Sequence, residues 1–169
     1  MYSLNVPVPG RVARLASGLA PELARFDRQR DRHTLVLKRL GDPAPEEYPR
    51  VRHRVRQALA GTAPFEARIA GLDWFAEPTA GPGPVVYLAV ESPGLEAAHR
   101  RLVDALSAAE GVEGEAYVPH VTLARGGDPE DARAVVERDV ETVDWTVDDL
   151  VFRDGTGRGG AAGRLSLPA

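Results

Sequence analysis

The sequence predicts an internally duplicated, bilobal α+β fold in which two antiparallel sheets flank a central groove and the helices lie outside. The first observation is the order of predicted elements, which reads β-α-β-α-β and then repeats with one further strand. The second is a set of landmarks that recur 84–87 residues apart, among them Gly-Asp-Pro at 41–43 and 127–129. Such a period indicates two halves of similar architecture, which we place at residues 1–80 and 84–169 of a single domain.

In the first half, a strand is predicted at 2–8, where apolar and polar residues alternate, and another at 33–40, around a short apolar run. A helix is predicted over 10–26, because apolar side chains recur there every three or four residues. Those side chains are Val12, Leu15, Leu19, Leu23 and Phe26. A second helix over 45–60 repeats this spacing, and a strand at 65–75 completes the half.

The second half follows a loop rich in proline and glycine, between Phe75 and Val85, which we take as the boundary between the lobes. One helix has a clearly marked start, because Asp128 provides an N-cap, Pro129 fits the first position and acids fill the first turn. The other elements repeat the pattern of the first half. They are strands at 84–91, 117–125, 142–152 and 163–167, and a helix at 95–109.

The composition is that of a compact soluble protein. The chain has 169 residues, is 43% hydrophobic, lacks cysteine and carries a formal net charge of −4. The lack of cysteine excludes disulfides, thiolate nucleophiles and cysteine zinc sites, and the net charge argues against a protein that coats long nucleic acid. There is no long apolar stretch, and residues 1–9 do not resemble a signal peptide. We therefore expect a cytoplasmic monomer that does not contact a membrane.

Two histidines stand near the starts of short apolar runs. Residues 119–125 read PHVTLAR, and residues 32–39 read RHTLVLKR. In a strand, residues two apart share a face, so His120 and Thr122 point the same way. If the two runs lie side by side, His33 and His120 face each other across a cleft. Opposed imidazoles suit metal-free cleavage of a phosphate ester, because one can take a proton while the other gives one.

These features resemble the 2H phosphoesterases, a family that includes the RNA 2′,3′-cyclic phosphodiesterases once named 2′-5′ RNA ligases. The family is defined by two His-x-Thr/Ser-x motifs about half a chain apart on a bilobal, duplicated fold. Residues 119–125 resemble the second motif almost letter for letter, and LKRLGD at 37–42 resembles the tail of the first. The segment 65–90 is similar to the family's link between the motifs, so the resemblance covers nearly the whole chain.

The resemblance implies an enzyme that hydrolyses the 2′,3′-cyclic phosphate of an RNA end or a nucleotide to a 2′-phosphate, with no metal and no cofactor. By analogy with the family, His120 is the base and His33 the acid. The phosphate ligands are Thr122, Thr34 and Arg125. Ligation of the cyclic end to a 5′-hydroxyl, the reverse reaction, uses the same groups. Given the net charge of −4, an RNA ligand is held by its end in a local basic pocket.

The first motif departs from the family pattern by one residue. Counted from His33, the hydroxyl position falls on Leu35, and Thr34 occupies the variable place. Counted back from Gly-Asp-Pro, Thr34 aligns with His120 instead. A slip of one residue would turn His33 to the opposite face of the sheet, unless a β-bulge absorbs it. We expect a bulge near residues 35–37, or an altered turn after it, which keeps His33 in the groove.

Two other classes of protein stay open. One is a nucleotide-binding or RNA-end-binding module of the same fold, in which the irregular first motif has abolished hydrolysis. The other is a metal-dependent hydrolase that uses the two histidines as ligands. Neither an H-x-x-x-H spacing nor a companion carboxylate cluster supports the metal site.

The remaining candidate residues have more ordinary explanations. We expect His53 on the solvated face of a basic helix and His99 beside an apolar stripe as a packing residue. Trp74 and Phe75 could stack a base, but aromatic residues at the end of a strand more often belong to the core. The glycine-rich run 154–160 lacks the Lys-Ser/Thr of a phosphate loop, so we expect a hairpin turn there.

Overall fold

A computed structural model describes residues 1–155 and 161–168, which form nine strands, four α-helices and a short 3₁₀ helix. The strands are β1 (Tyr2–Val6), β2 (Arg28–Gln29), β3 (Leu35–Gly41), β4 (Phe65–Phe75), β5 (Val85–Glu91), β6 (His120–Arg125), β7 (Val143–Val147), β8 (Asp149–Asp154) and β9 (Ala161–Ser166). The helices are α1 (Gly10–Gly18), α2 (Tyr48–Ala58), α3 (Pro93–Leu106) and α4 (Pro129–Val136), with the 3₁₀ helix at Gly114–Ala116.

The strands form one antiparallel sheet of order β7-β4-β5-β6-β3-β1-β8-β9, with β2 beside β6. We call β9-β8-β1-β3 subsheet A and β6-β5-β4-β7 subsheet B. In the described part of the chain, a single residue pair between β3 and β6, Leu35–Val121, joins the two. The predicted α+β class with antiparallel strands is confirmed. The two predicted sheets are two parts of one sheet, because this pair connects them.

Each subsheet takes strands from both halves of the chain. β4, from the first half, pairs with β5 and β7 in subsheet B. β8, from the second half, pairs with β1 in subsheet A, where Tyr2 lies opposite Asp154. Neither of the predicted halves, 1–80 and 84–169, therefore builds a subsheet by itself.

The first helix is shorter than the predicted span of 10–26. α1 ends at Gly18, and the following residues form turns with hydrogen bonds such as that from the Leu23 N–H to the Ala20 carbonyl, at 3.2 Å. Pro21 explains the break, because proline lacks an N–H and disfavours the helical conformation in the residue before it. Leu23 and Phe26 are nevertheless buried in the core, so the apolar pattern predicted their burial correctly.

Capping side chains fix the starts of the two helices in the second half. Asp128 accepts a hydrogen bond from the Glu130 N–H at 2.8 Å, which confirms the predicted start of α4. Ser92 accepts one from the Leu95 N–H at 3.1 Å at the start of α3 and donates one to the Glu66 carbonyl. α3 thereby lies against β3 and β4, behind the groove described below.

Candidate active site

A groove of about 760 Å³ opens between residues of the two subsheets. Strands β3 and β6, which meet at the joint between the subsheets, both contribute to its lining. The two strands contribute similar sets of side chains. These are Thr34, Val36 and Arg39 at β3 and just before it, and His120, Thr122 and Arg125 in β6.

His120 is the first residue of β6, and its ring is held by aromatic neighbours and the backbone. The Phe75 ring lies edge-on at 5.2 Å between centroids, and the Tyr87 ring lies at the same distance. Nδ1 of His120 is 2.6 Å from the Val118 carbonyl oxygen. Because a carbonyl oxygen only accepts, Nδ1 carries the hydrogen, and Nε2 of the neutral ring keeps its lone pair.

The surroundings of His120 favour this neutral form. Burial lowers its pKa, the hydrogen bond to Val118 opposes this, and the nearby charges of Arg39 and Arg125 lower it further. A ring with a pKa below its ordinary value of 6.5 is neutral near pH 7. His120 can therefore accept a proton through Nε2.

A β-bulge in β6 decides which of its side chains reach the groove. Thr122 and Ala124 lie opposite consecutive residues of β5, so Leu123 between them lies opposite no residue of β5. Leu123 is buried in the core. The bulge shifts the alternation by one, and Arg125 therefore lies along the groove with His120 and Thr122.

β3 carries the same bulge. Val36 and Lys38 lie opposite consecutive residues of β1, so Leu37 between them lies opposite no residue of β1. Leu37 is fully buried, as is its counterpart in β6. The shift brings Arg39 to the groove together with Thr34 and Val36.

The pair at the joint defines how the two strands correspond. Leu35 lies opposite Val121, 86 residues further along the chain. A local twofold axis through an antiparallel pair exchanges the two partners and their neighbours. With this offset, the bulged residue Leu37 corresponds to Leu123, and the groove residue Arg39 corresponds to Arg125. By the same offset, Thr34 corresponds to His120.

His33 does not line the groove, whereas Arg32 and Thr34 on either side of it do. Burial lowers the pKa of His33, and the charge of Asp31 opposes this. The expected bulge in β3 is present, but β6 has the same one, so it does not compensate for the extra residue. Under the local twofold relation, Thr34, and not His33, therefore occupies the position that corresponds to His120. The roles of all five predicted site residues stay predictions.

The groove concentrates positive charge. Within the described residues, Arg30, Arg39 and Arg125 form no salt bridge, although the carboxylates Glu77 and Asp154 also line the groove. Burial lowers the pKa of Arg125, and the charges of Arg30 and Arg39 lower it further. Guanidinium groups that repel one another in this way are stabilised by a bound anion, and they match a phosphoryl group in geometry.

A buried ion pair anchors β3, one of the strands that line the groove. The Lys38 ammonium lies 2.6 Å from a Glu113 carboxylate oxygen, and both side chains are almost fully buried. Glu113 also accepts hydrogen bonds from the backbone N–H groups of Arg39, at 2.6 Å, and Ala109, at 2.8 Å. Burial raises the pKa of Glu113, but these hydrogen bonds and the Lys38 charge outweigh it, so the pKa is lowered.

His99 completes the support of the β3 bulge. Its Nδ1 donates to the Leu37 carbonyl at 2.8 Å, and its Nε2 accepts from the Gly114 N–H at 3.0 Å. Its ring stacks on Tyr117 with centroids 3.7 Å apart, and the Tyr117 hydroxyl donates to the Val36 carbonyl at 2.8 Å. The bulge frees backbone groups that these side chains satisfy. His99 is therefore a fully buried structural histidine, and sequence reasoning identified only its packing role.

The other sequence candidates lie as follows. His53 is exposed on α2, as expected. The Arg133 guanidinium lies over the Trp74 ring at 5.5 Å, whereas Phe75 lines the groove. Of the glycine-rich run, residues 156–160 lie outside the described residues.

Comparison with known families identifies the class of protein. A family model described as the 2′-5′ RNA ligase superfamily matches residues 34–159, which is most of the chain. The chain therefore belongs to the 2′-5′ RNA ligase superfamily, and the predicted resemblance to the 2H phosphoesterases is confirmed. No curated protein sequence matches the chain.

Solved structures share this fold over nearly their whole length. TT0787 of Thermus thermophilus is 22% identical, with 98% of this chain and 97% of that chain covered and a TM-score of 0.66. E. coli LigT complexed with NADP+ is 18% identical, with 98% and 96% covered and a TM-score of 0.67. Usb1 of Kluyveromyces marxianus is 10% identical, with 99% and 97% covered and a TM-score of 0.58. At these identities, the likeness shows the fold alone.

Two features are absent from the described residues. They contain no group of three or more His, Cys, Asp or Glu side chains placed to hold a metal ion. None of their helices combines the length and the apolar character needed to cross a membrane.

Proposed function

We propose that the protein is a phosphodiesterase that opens 2′,3′-cyclic phosphates, on RNA ends or on nucleotides, to give 2′-phosphates. The observation that carries this proposal is the hydrogen bond from Nδ1 of His120 to the Val118 carbonyl, which leaves Nε2 to accept a proton in a groove that also holds Thr122 and several arginines. A base next to an anion site is the arrangement that attack of water on a phosphate ester requires.

The proposed reaction uses these groups in order. Thr122 donates a hydrogen bond to a non-bridging oxygen, and the Arg39 and Arg125 guanidiniums neutralise the phosphate charge. Nε2 of His120 takes a proton from a water, whose oxygen attacks phosphorus. The bond from phosphorus to the ribose 3′-oxygen breaks, and that oxygen takes up a proton. Ligation of a 5′-hydroxyl, the reverse reaction, would use the same groups.

The fold relatives support a nucleotide ligand. LigT structures include complexes with 3′-AMP, ATP and NADP+. The groove of about 760 Å³ has the size of a site for a small nucleotide. Both observations favour an RNA end or a nucleotide over a long duplex, in keeping with the net charge of −4.

The test is incubation of the purified protein with the four nucleoside 2′,3′-cyclic phosphates in EDTA, with products identified by phosphorus NMR. The proposal expects turnover in the presence of the chelator and a 2′-phosphate product. A 3′-phosphate product, or activity that EDTA abolishes, would contradict it. His53→Ala provides the matched control, because His53 is an exposed histidine away from the groove.

A second candidate function is a binding module for nucleotides or RNA ends without turnover. The observation that favours it is the position of His33 outside the groove lining, which leaves His120 as the histidine of the groove. Under this proposal, the protein binds adenosine 2′-monophosphate with the same groove residues, but the cyclic phosphates remain intact. The incubation described above separates the two candidates directly.

A further inference from the structure

The groove has an approximate local symmetry, which shows what each strand presents to a ligand. The pairing of Leu35 with Val121 relates the strands, and the bulged residues Leu37 and Leu123 coincide in this relation. All four side chains are buried in the core, and this burial determines which residues of each strand face the groove. A shift of β3 by one residue would move Leu35 out of the core, which makes a slipped register unfavourable.

The groove faces are chemically unequal under this symmetry. β6 presents an imidazole and a hydroxyl, from His120 and Thr122. The corresponding positions on the other strand hold Thr34 and Val36, a hydroxyl and an isopropyl group. The alternation persists before β3, because Arg32 and Thr34 line the groove and the residue between them does not.

We propose that Thr34, and not His33, contacts the substrate from the position that corresponds to His120 on the other strand, so that the site works with a single imidazole. The inference rests on the proposed function for its chemistry but on the register for its geometry. A threonine hydroxyl can donate a hydrogen bond to a non-bridging phosphate oxygen, whereas it is far too weak an acid to act as the proton donor that a histidinium provides.

The proton balance of the reaction follows from this arrangement. His120 takes the proton of the attacking water. The ribose 3′-oxygen leaves with the electron pair of its bond to phosphorus and takes its proton from solvent. His120 then returns its proton to solvent. The turnover of this enzyme therefore depends strongly on the acidity of the leaving alcohol, and phosphodiesters with acidic leaving groups, such as nitrophenyl esters, are its better substrates.

The first experiment compares Thr34→Val with His33→Ala. Thr34→Val removes one hydrogen bond to a charged phosphate, so we expect kcat/KM to fall by about tenfold. His33→Ala should keep kcat/KM within about twofold, because the His33 side chain lies outside the groove lining. Circular dichroism and thermal melting of both variants show whether they are folded. A large loss for His33→Ala with an unchanged Thr34→Val would overturn the proposal.

The second experiment restores the missing groups with Thr34→His and Val36→Thr together. A folded double variant places a second imidazole at the position that corresponds to His120 on β3. It should raise kcat on cyclic phosphates by about tenfold or more, towards the effect of a positioned proton donor. Its advantage for nitrophenyl esters over cyclic phosphates should shrink accordingly. An unchanged rate in the folded double variant would show that position 34 does not face the leaving group.

Binding separates this inference from the proposed function. If the wild-type protein turns over none of the cyclic phosphates, calorimetric titration with adenosine 2′-monophosphate still compares the variants. Weaker binding by Thr34→Val than by His33→Ala supports the inference while the proposed enzyme activity fails. The opposite order overturns the inference, whatever the activity of the wild type.

Discussion

The Lys38 ammonium and the Glu113 carboxylate form a 2.6 Å ion pair that is almost completely removed from solvent. Lys38 belongs to β3, next to its bulge, and Glu113 belongs to the loop that follows α3. The pair therefore fastens this loop to the strand that lines the groove. Its backbone hydrogen bonds to Arg39 and Ala109 leave no carboxylate oxygen without a partner.

We predict that Lys38→Met destabilises the protein by about 3–5 kcal/mol, because it leaves the Glu113 carboxylate buried without its counter-charge. Chemical denaturation measures this change as a lower free energy of unfolding. Arg68→Met is the matched control, since it breaks the exposed pair with Asp144 and should leave the unfolding midpoint nearly unchanged. Equal effects of the two substitutions would show that the burial of the Lys38 pair has no energetic weight.

Acid should weaken the fold through Glu113. Its pKa in the folded protein is below the ordinary value of 4.5, because the hydrogen bonds and the Lys38 charge outweigh burial. The stabilisation is therefore complete above pH 4.5 and is lost as the pH falls through the lowered pKa. Unfolding midpoints measured between neutral pH and strong acid check this. In Glu113→Gln, the part of the decline that this group causes should be absent.

The proposed base should be visible in mutant kinetics. His120→Ala removes the group that accepts the proton of water, so kcat should fall by about 10²–10⁴-fold. His53→Ala, at an exposed position, should leave kcat unchanged. Equal losses in the two variants would indicate unfolding and not a catalytic role.

The pH dependence of kcat/KM should report the titration of His120. The neutral ring is the active form, and its pKa lies below 6.5. The rate should therefore fall only on the acidic side, with a midpoint below pH 6.5, and stay level as the pH rises through neutrality. Tyr87, which touches the ring, has a pKa raised by burial to about 12 and does not titrate in this range. A midpoint above 6.5 would exclude His120 in this environment as the base.

A substitution of His99 tests whether this residue supports the β3 bulge without taking part in the reaction. His99→Ala removes the partners of the Leu37 carbonyl and the Gly114 N–H, at about 1–3 kcal/mol for each buried group left unsatisfied. We expect a lower melting temperature with kcat nearly unchanged at temperatures where the variant is folded. A severe loss of kcat in the folded variant would instead show that the bulge geometry controls the reacting groups.

Much of the fold could be predicted from the sequence where local chemistry decides it. The Asp128-Pro129 start of α4 needs only its own side chains, and the signal is accurate. The predicted helix over 10–26 was too long, since its apolar stripe continued past Pro21 although the helix did not.

The site was predicted incompletely because its geometry depends on pairing between distant strands. Alternation alone cannot place Arg125, which reaches the groove only because a bulge at Leu123 shifts the pattern. The alignment of Thr34 with His120 could be read from the distance to Gly-Asp-Pro, but the motif pattern favoured His33. The pairing of Leu35 with Val121 agrees with the count from Gly-Asp-Pro, but a pairing between distant strands becomes visible only in the fold.

β4 lies in a subsheet whose other strands come from the second half of the chain, and β8 pairs with β1 from the first half. This exchange of strands has a consequence for how the protein folds. Each half of the chain lacks a strand that its own subsheet needs, so neither should fold when expressed as a fragment. Tyr2 pairs with Asp154 near the other end of the described chain, and such distant pairings slow folding, because a large loop must close before they form. A chain cut in the loop between β4 and β5 should instead yield two disordered pieces that regain structure on mixing.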